Sequence, residues 1–369
     1  MKFVFWQNVI SIHQSTFLRN LGLNHDVTLV VNKKQSEARV KQGWDLPDTG
    51  KVIIISSPDV REIKRIISFH EGSWHVFSGI YANKMVYRAL ILAHAKKLKF
   101  GLMFEPFQNK GLKGKLRYGL NLWYCNLLGD QVKFILPTGN FANKQYSEVG
   151  YDSDKIYDWG YFTEHNKVVT HHANIADDEN LLPNILFVGQ LIPRKNILTL
   201  VDILIKHKKL YNSFIIVGAG EQQNIIRDKI INHPKLRLVG SLPNEKVKGL
   251  ISAVDLLILP SNFDGWGAVV NEALLMGTPV IASENCGSAV LLDGYVRGEV
   301  FSFKSGHDLE LKVLKWLKKG IVCSEKRRDI AEWSERTITG KVAAAYFIDV
   351  VYSLDNPSNG RPSAPWLSL

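Results

Sequence analysis

The chain is poor in cysteine, poor in acid relative to base, and has no long apolar run. It has three cysteines in 369 residues, Cys125, Cys286 and Cys323. An odd, scattered set excludes a disulfide framework and has no metal-ligand spacing, so reduced thiols in the cytoplasm are expected. No stretch approaches the ~18 consecutive apolar residues of a membrane span. The opening MKFVFWQNVISIH has too short an apolar run for a leader and no small-residue cleavage site, so it reads as a strand. No G-x-G-x-x-G follows that strand, which removes the sequence signal for a dinucleotide. No nucleic-acid-binding module signature is present either. The acids number 35 against 46 lysines and arginines, leaving a net charge of +11. Such a surplus calls for an anionic partner: nucleic acid, an anionic membrane surface or a phosphorylated substrate. A solvated basic surface is the alternative.

A hydrophobic share of 46% is ample for a core, and the length suits two domains. Strand-like runs alternate with helical patterns throughout, the mark of an α/β protein with parallel sheets. The first half offers strands at Lys2–Trp6, Asp26–Val31, Val52–Ile55, Trp74–Phe77, Phe100–Phe104 and Phe134–Pro137, with a short one at Lys155–Trp159. A polar loop, Gln7 to Ser15, carries His13 and Gln14. Glu105 follows a strand end, and Ser78 and Gly79 follow another. Strand carboxyl ends face the binding crevice of such sheets. Residues 169–183 are polar and read as a linker. Residues 184–335 form a second strand-rich half and 336–354 a terminal helix. Residues 355–369, rich in Pro, Ser, Asn and Gly, read as a flexible tail.

The stretch with most chemistry runs from Pro260 to Gly287. A buried strand ends at Leu259. A loop, Ser261 to Gly267, leads into a helix bearing Val269, Val270, Ala273, Leu274 and Met276, which Gly277 stops. The amides of Gly265, Trp266, Gly267, Ala268 and Val269 thus open a helix at a strand's carboxyl end, where anions are favoured. Asp264 and Glu272 are eight positions apart, and carboxylates suit vicinal hydroxyls. A second strand-to-loop junction, Gly189 to Asn196, carries Arg194 and Lys195 beside a helix start and suits a diphosphate. A third, after Val217, has glycines at Gly218 and Gly220. The D-x-D at Asp152 and Asp154 follows a helix end and reads as a turn, not a metal site.

Asp264-x7-Glu272 followed by GTPVIAS resembles the E-x7-E signature of the retaining glycosyltransferases of family 4, which have the GT-B fold. Asp264 stands where the family usually has Glu. The family's G-R-x-x-x-x-K-G diphosphate loop is matched at Gly189 and Lys195, with Gln190 at the arginine position and Arg194 nearby. GAGE at 218–221 is similar to its G-x-G-E step, and Ser241 and Leu242 fall in its base-contacting loop. The resemblance implies two Rossmann-like domains facing a cleft. The acceptor domain would span 1–168, the nucleotide-sugar domain 184–335, and the helix at 336–354 would cross back to the first. It implies metal- and cofactor-independent transfer of a hexosyl group from a UDP- or GDP-sugar to a glycan or lipid-linked acceptor, in surface polysaccharide or glycolipid assembly. Lys195 and Arg194 would hold the diphosphate, Asp264 the sugar and Glu272 the ribose, with Glu105 and His13 on the acceptor side. Two other readings stand beside it: a non-catalytic nucleotide-sugar binder, and an inverting transferase or epimerase on the same fold.

Residues 84–124 carry Lys84, Arg88, Lys96, Lys97, Lys99, Lys110, Lys113, Lys115 and Arg117 against one acid, Glu105. Leu112, Leu116, Tyr118, Leu120, Leu122, Trp123 and Tyr124 interleave with them and follow them. One reading is an interfacial helix on anionic lipid, giving a peripheral association with the inner face of the membrane. The other is an ordinary amphipathic helix with a basic outer face and its aromatics in the core.

Overall fold

The computed structural model describes residues 1–35, 46–81, 83–107, 111–164, 181–292 and 294–367. The chain divides into two units. The first comprises Met1–Thr163 with Ile338–Leu369, the second Glu164–Thr337. Most of the expected linker, and Lys110 of the basic stretch, lie outside the described residues.

Unit 1 holds six parallel strands: β1 (Lys2–Gln7), β2 (Asp26–Val31), β3 (Ile53–Ser56), β4 (Trp74–Ser78), β5 (Phe100–Phe104) and β6 (Val132–Pro137). Their spatial order is β3-β2-β1-β4-β5-β6. The helices between them are α1 (Ile12–Leu21), α2 (Val60–Phe69), α3 (Lys84–Ala95), α4 (Gly111–Leu128) and α5 (Gly139–Glu148). In β1, five of six residues are buried. A strand covered by helices on both faces needs such a continuous apolar run. The order reverses direction between β1 and β4, and this switch point opens a crevice at the strand carboxyl ends.

Unit 2 repeats the plan with β7 (Asn184–Val188), β8 (Ser213–Val217), β9 (Leu236–Gly240), β10 (Leu256–Leu259), β11 (Val280–Ser283) and β12 (Gly298–Phe301). The order is β12-β11-β10-β7-β8-β9, with the switch point between β7 and β10. Its helices are α6 (Ile197–Lys206), α7 (Gln223–Ile230), α8 (Asn244–Ala253), α9 (Val269–Leu275), α10 (Asp308–Lys319) and α11 (Ser324–Thr337). Arg327 of α11 is buried; it donates to the Val254 carbonyl at 2.5 Å and to Asp255 Oδ1 at 3.0 Å. This ties α11 to the start of β10, the strand that delivers the Pro260–Gly287 segment.

The terminal helical pattern is two helices. Ile338 and Thr339 break it, and α12 (Gly340–Asp355) starts afresh with the Thr339 hydroxyl accepting from the Val342 amide. α12 belongs to unit 1. Its Phe347 is fully buried among Phe3, Phe5, Phe17, Phe134 and Trp159, with ring centroids 5.3–6.4 Å apart.

Three expectations need correction. The 355–369 stretch, expected as a flexible tail, packs onto unit 1 over its described part. Arg361 lies 4.8 Å over the Tyr157 ring and donates to the Ser153 and Ile156 carbonyls, while Ala364 and Trp366 are buried. Apolar anchors outweigh the loop-like composition there. Trp366→Ala is therefore expected to cost about 3 kcal/mol, read by urea unfolding. Second, Lys155–Trp159 forms only isolated bridges, Ile135 with Ile156 and Thr138 with Trp159. Third, α1 begins at Ile12, so His13 sits in a helix's first turn rather than in a loop. Asp264 lies in the loop before α9, where it forms an isolated bridge with Cys286.

Candidate active site

In unit 2 the loops after β7 and β10 flank the switch point and meet. Pro193–Lys195 make one 3-10 turn, and Asn196 takes a left-handed φ of 53° before α6. The turn presents Arg194 and Lys195 to the β10 loop. Lys195 Nζ pairs with Asp264 Oδ2, and both side chains are largely buried. Arg194 Nη1 donates to the Phe263 carbonyl at 2.7 Å and stands 3.8 Å from Asp264 Oδ1. The Asn262 amide donates to the Arg194 carbonyl at 2.8 Å, closing the junction. Two cations and one carboxylate thus share the crevice mouth.

The β10 loop is held from behind by the segment after β11. The Asp264 amide donates to the Asn285 carbonyl and the Gly287 amide to the Asp264 carbonyl. Cys286 Sγ donates to the Trp266 carbonyl at 2.9 Å, and Trp266 Nε1 donates to Asn271 Oδ1 at 2.6 Å. Burial and the Asp264 charge push the Cys286 thiol up to about 12, so it serves as a neutral packing group. The amides of Gly265, Gly267 and Ala268 have no backbone acceptor among the described residues. α9 spans only seven residues, so its dipole is short; the anion-attracting groups are these amides and the two cations.

Glu272 lies in the first turn of α9. It shares no hydrogen bond or ion pair with Lys195 or Asp264 among the described residues. Burial pushes its carboxyl up to about 7, with Lys248 of α8 pulling modestly the other way. Among the described residues no hydrogen-bond donor stabilises its charge.

The glycine loops differ in role. Gly218 has φ 138°, and a Cβ there would meet the Gly189 carbonyl oxygen at 1.9 Å. The two loops press backbone to backbone; Gly218→Ala is expected to destabilise the protein by roughly 3 kcal/mol in urea unfolding. A Cβ on Gly220 would meet the Leu191 carbonyl oxygen at 2.5 Å. Gln190 is exposed, and its carbonyl accepts from the Ile192 amide. Ser241 is exposed and Leu242 half-buried after the edge strand β9. Val269 is half-buried at the start of α9.

Unit 1 has its own cavity at the carboxyl ends of β1, β4 and β5, about 260 Å³ in volume. Gln7, Gln14, His13, Ser78, Glu105 and Tyr161 line it, with Asn8, Val9 and Ser11. His13 and Tyr161 stack with centroids 4.5 Å apart and planes 5° from parallel. The Tyr161 hydroxyl donates to Glu105 Oε1. Gln7 is 3% exposed and donates to Gln14, while its own Oε1 and the Ser78 hydroxyl are buried without a partner among the described residues. His13 and Glu105, 92 positions apart in sequence, therefore line one pocket. Tyr161, which links them, carried no signal: it sits in an irregular segment without periodicity.

Residues 174–337 match the family model described as Glycosyl transferases group 1. Over 129 residues the chain is 30% identical to an uncharacterised glycosyltransferase of Methanocaldococcus jannaschii, a match covering 34% of this chain and 32% of that one. The chain spans about a third of the length of the first curated relatives it matches. It is also 22% identical over 357 residues to the amylovoran biosynthesis glycosyltransferase AmsK of Erwinia amylovora, covering 81% and 86% of the two chains. Among solved structures, Anabaena HepE in complex with UDP superposes with a TM-score of 0.68 at 12% identity, covering 96% of this chain and all of that one. The fold is GT-B, with two Rossmann-like domains. The matched stretch is nearly all of unit 2 and less than half of the chain.

Proposed function

We propose that the chain transfers a hexosyl group from a nucleoside-diphosphate sugar to a hydroxyl of a glycan or lipid-linked acceptor, with retention at the anomeric carbon. The observation that carries this is the meeting of Lys195, Arg194 and Asp264 across the unit 2 switch point, beside free loop amides. A donor diphosphate takes hydrogen bonds from Lys195 and those amides, and the hexose hydroxyls take up the Asp264 carboxylate that Lys195 releases. Lys195 thereby exchanges one anionic partner for another, and Asp264 exchanges its ion pair for hydrogen bonds from neutral hydroxyls. Glu272 accepts from the ribose hydroxyls. The C1–oxygen bond to the diphosphate breaks as the acceptor oxygen bonds C1, and the acceptor proton leaves with a departing phosphate oxygen. Lys195 and the loop amides stabilise the charge that develops on that oxygen. Cations and amides suffice for this, so no metal is assigned.

The unit 1 cavity suits a sugar ring of the acceptor: it offers unpaired amide and hydroxyl groups and an aromatic platform. Its Glu105 and His13 are also what an inverting transferase would use as a base. NMR of the product's anomeric configuration separates the two mechanisms. The donor reading is tested by thermal shift against UDP- and GDP-sugars, since a ligand bound only by the native state raises the melting temperature. No shift with either series, together with no nucleotide release, would reject it. A shift without release would favour the non-catalytic binder. The likeness to AmsK, an amylovoran biosynthesis glycosyltransferase, supports polysaccharide assembly as a setting for the reaction.

A further inference from the structure

α4 has two apolar sides, and only one meets the core. Gly114, Asn121, Tyr124 and Leu128 face inward. Asn121 Nδ2 donates to the Tyr81 hydroxyl at 3.1 Å, Tyr81 stacks on Tyr124, and the Tyr118 hydroxyl donates to the Glu148 carbonyl at 2.6 Å. This fixes the rotation of the helix. At ~100° per residue, Leu112, Leu116, Trp123 and Leu127 then fall within roughly 60° of arc on the opposite side. Leu112 is 88% exposed, Leu116 74% and Trp123 53%. The reading that buried the aromatics of this stretch is corrected: of its aromatic residues on α4, only Tyr124 is in the core.

Charge frames the stripe. Lys113, Lys115 and Arg117 are exposed, and none makes an ion pair among the described residues. α4 contains no acid at all. Of the other basic residues in the stretch, Lys96 pairs with Glu71, and Lys99 pairs with Asp355 and covers Trp74. Lys113 and Lys115 thus flank the apolar stripe without an ion pair, while Lys84, Arg88 and Lys97 elsewhere in the stretch also show none among the described residues. No helix among the described residues is long and apolar enough to cross a membrane.

We infer that α4 docks unit 1 on an anionic lipid bilayer, lying in the interface with Leu112, Leu116 and Trp123 in the acyl boundary and its three basic side chains at the headgroups. Leucines and a tryptophan opposite the packed face, with lysines on both flanks and no acid, complement a surface that is apolar below and negative above. A protein partner would need acids matched one by one to these cations. A bilayer needs only a net negative leaflet. The inference is independent of the donor site, because no α4 residue belongs to it.

The test is co-sedimentation of the full chain with vesicles of phosphatidylcholine alone or with 40 mol% phosphatidylglycerol (roughly a strongly anionic leaflet). Binding to the anionic vesicles is expected, falling steeply between about 0.1 and 0.5 M salt. Lys113→Gln, Lys115→Gln and Arg117→Gln together should weaken it about a hundredfold, at about fivefold per charge. Leu112→Ser, Leu116→Ser and Trp123→Ser together should weaken it at least as much. Both triple variants change exposed side chains only and should melt with the parent. Donor-induced thermal shifts should also match the parent, which separates failure here from failure of the donor site. Equal binding to both vesicle types, binding unchanged in either variant, or no binding at all would overturn the inference. So would vesicle-free self-association abolished by the serine variant, which would make the stripe a contact between copies.

Discussion

Lys195→Ala is expected to lower nucleotide release from the donor by about a thousandfold, measured as kcat/KM with the donor the thermal-shift screen selects. One cationic or amide donor aimed at a developing oxyanion contributes about 100- to 1000-fold. Lys195 is placed at the upper end because it is largely buried, where solvent screens it least. Its removal also leaves Asp264, among the described residues, with Arg194 at 3.8 Å for charge compensation. Asp264 would then repel the donor phosphate it otherwise shares a crevice with. Lys195→Ala with Asp264→Asn should therefore recover part of the donor affinity lost by Lys195→Ala alone, though not the rate. Arg194→Ala is expected to cost less, since that guanidinium is already engaged by the Phe263 carbonyl. A single Lys195→Ala variant within tenfold of the parent would reject the diphosphate assignment.

The parts of the molecule legible in the sequence were those written in local pattern. Continuous apolar runs ending in a glycine-bearing polar loop marked β7, β8 and β10, and the loops that follow them carry Lys195 and Asp264. The pairing of those two residues was not legible. It depends on β7 and β10 being sheet neighbours, and strand order is a long-range property. The same holds for the unit 1 pocket: His13 and Glu105 each stood out at a strand end, while Tyr161 became visible only once β1, β4 and β5 lay side by side. The tail misled for a related reason. Its Pro, Ser and Gly content described a local preference for irregular backbone, which is correct, but irregular backbone still packs when Trp366 and Arg361 find Phe162 and Tyr157. In α4, pattern gave the amphipathic composition but not the rotation, which is set by Asn121 and Tyr118 hydrogen bonds to other elements.

Glu272→Gln is expected to strengthen the fold and weaken donor binding, two effects with different pH dependences. The carboxyl, ordinarily near 4.5, is pushed up to about 7 by burial. An acid whose folded value is raised keeps its proton longer in the native state than in the unfolded one. Below pH ~4.5 both states are protonated and the group contributes nothing. As pH rises toward about 7 the unfolded chain ionises first, and stability drains by up to about 3 kcal/mol, complete above that pH. Glutamine has no proton to lose, so urea unfolding of the variant should match the parent near pH 5 and exceed it near pH 8. Donor binding should run the other way. Ribose hydroxyls supply the hydrogen bonds the carboxylate lacks, so they favour its charged form. Parental affinity should therefore tighten with pH until about 7 and then level off. The glutamine variant should bind about 30-fold more weakly at pH 8, the loss of hydrogen bonding to a charged acceptor, and show no such rise. Parallel pH profiles of donor affinity for the two proteins would remove Glu272 from the donor site and leave it an ordinary, costly residue of α9.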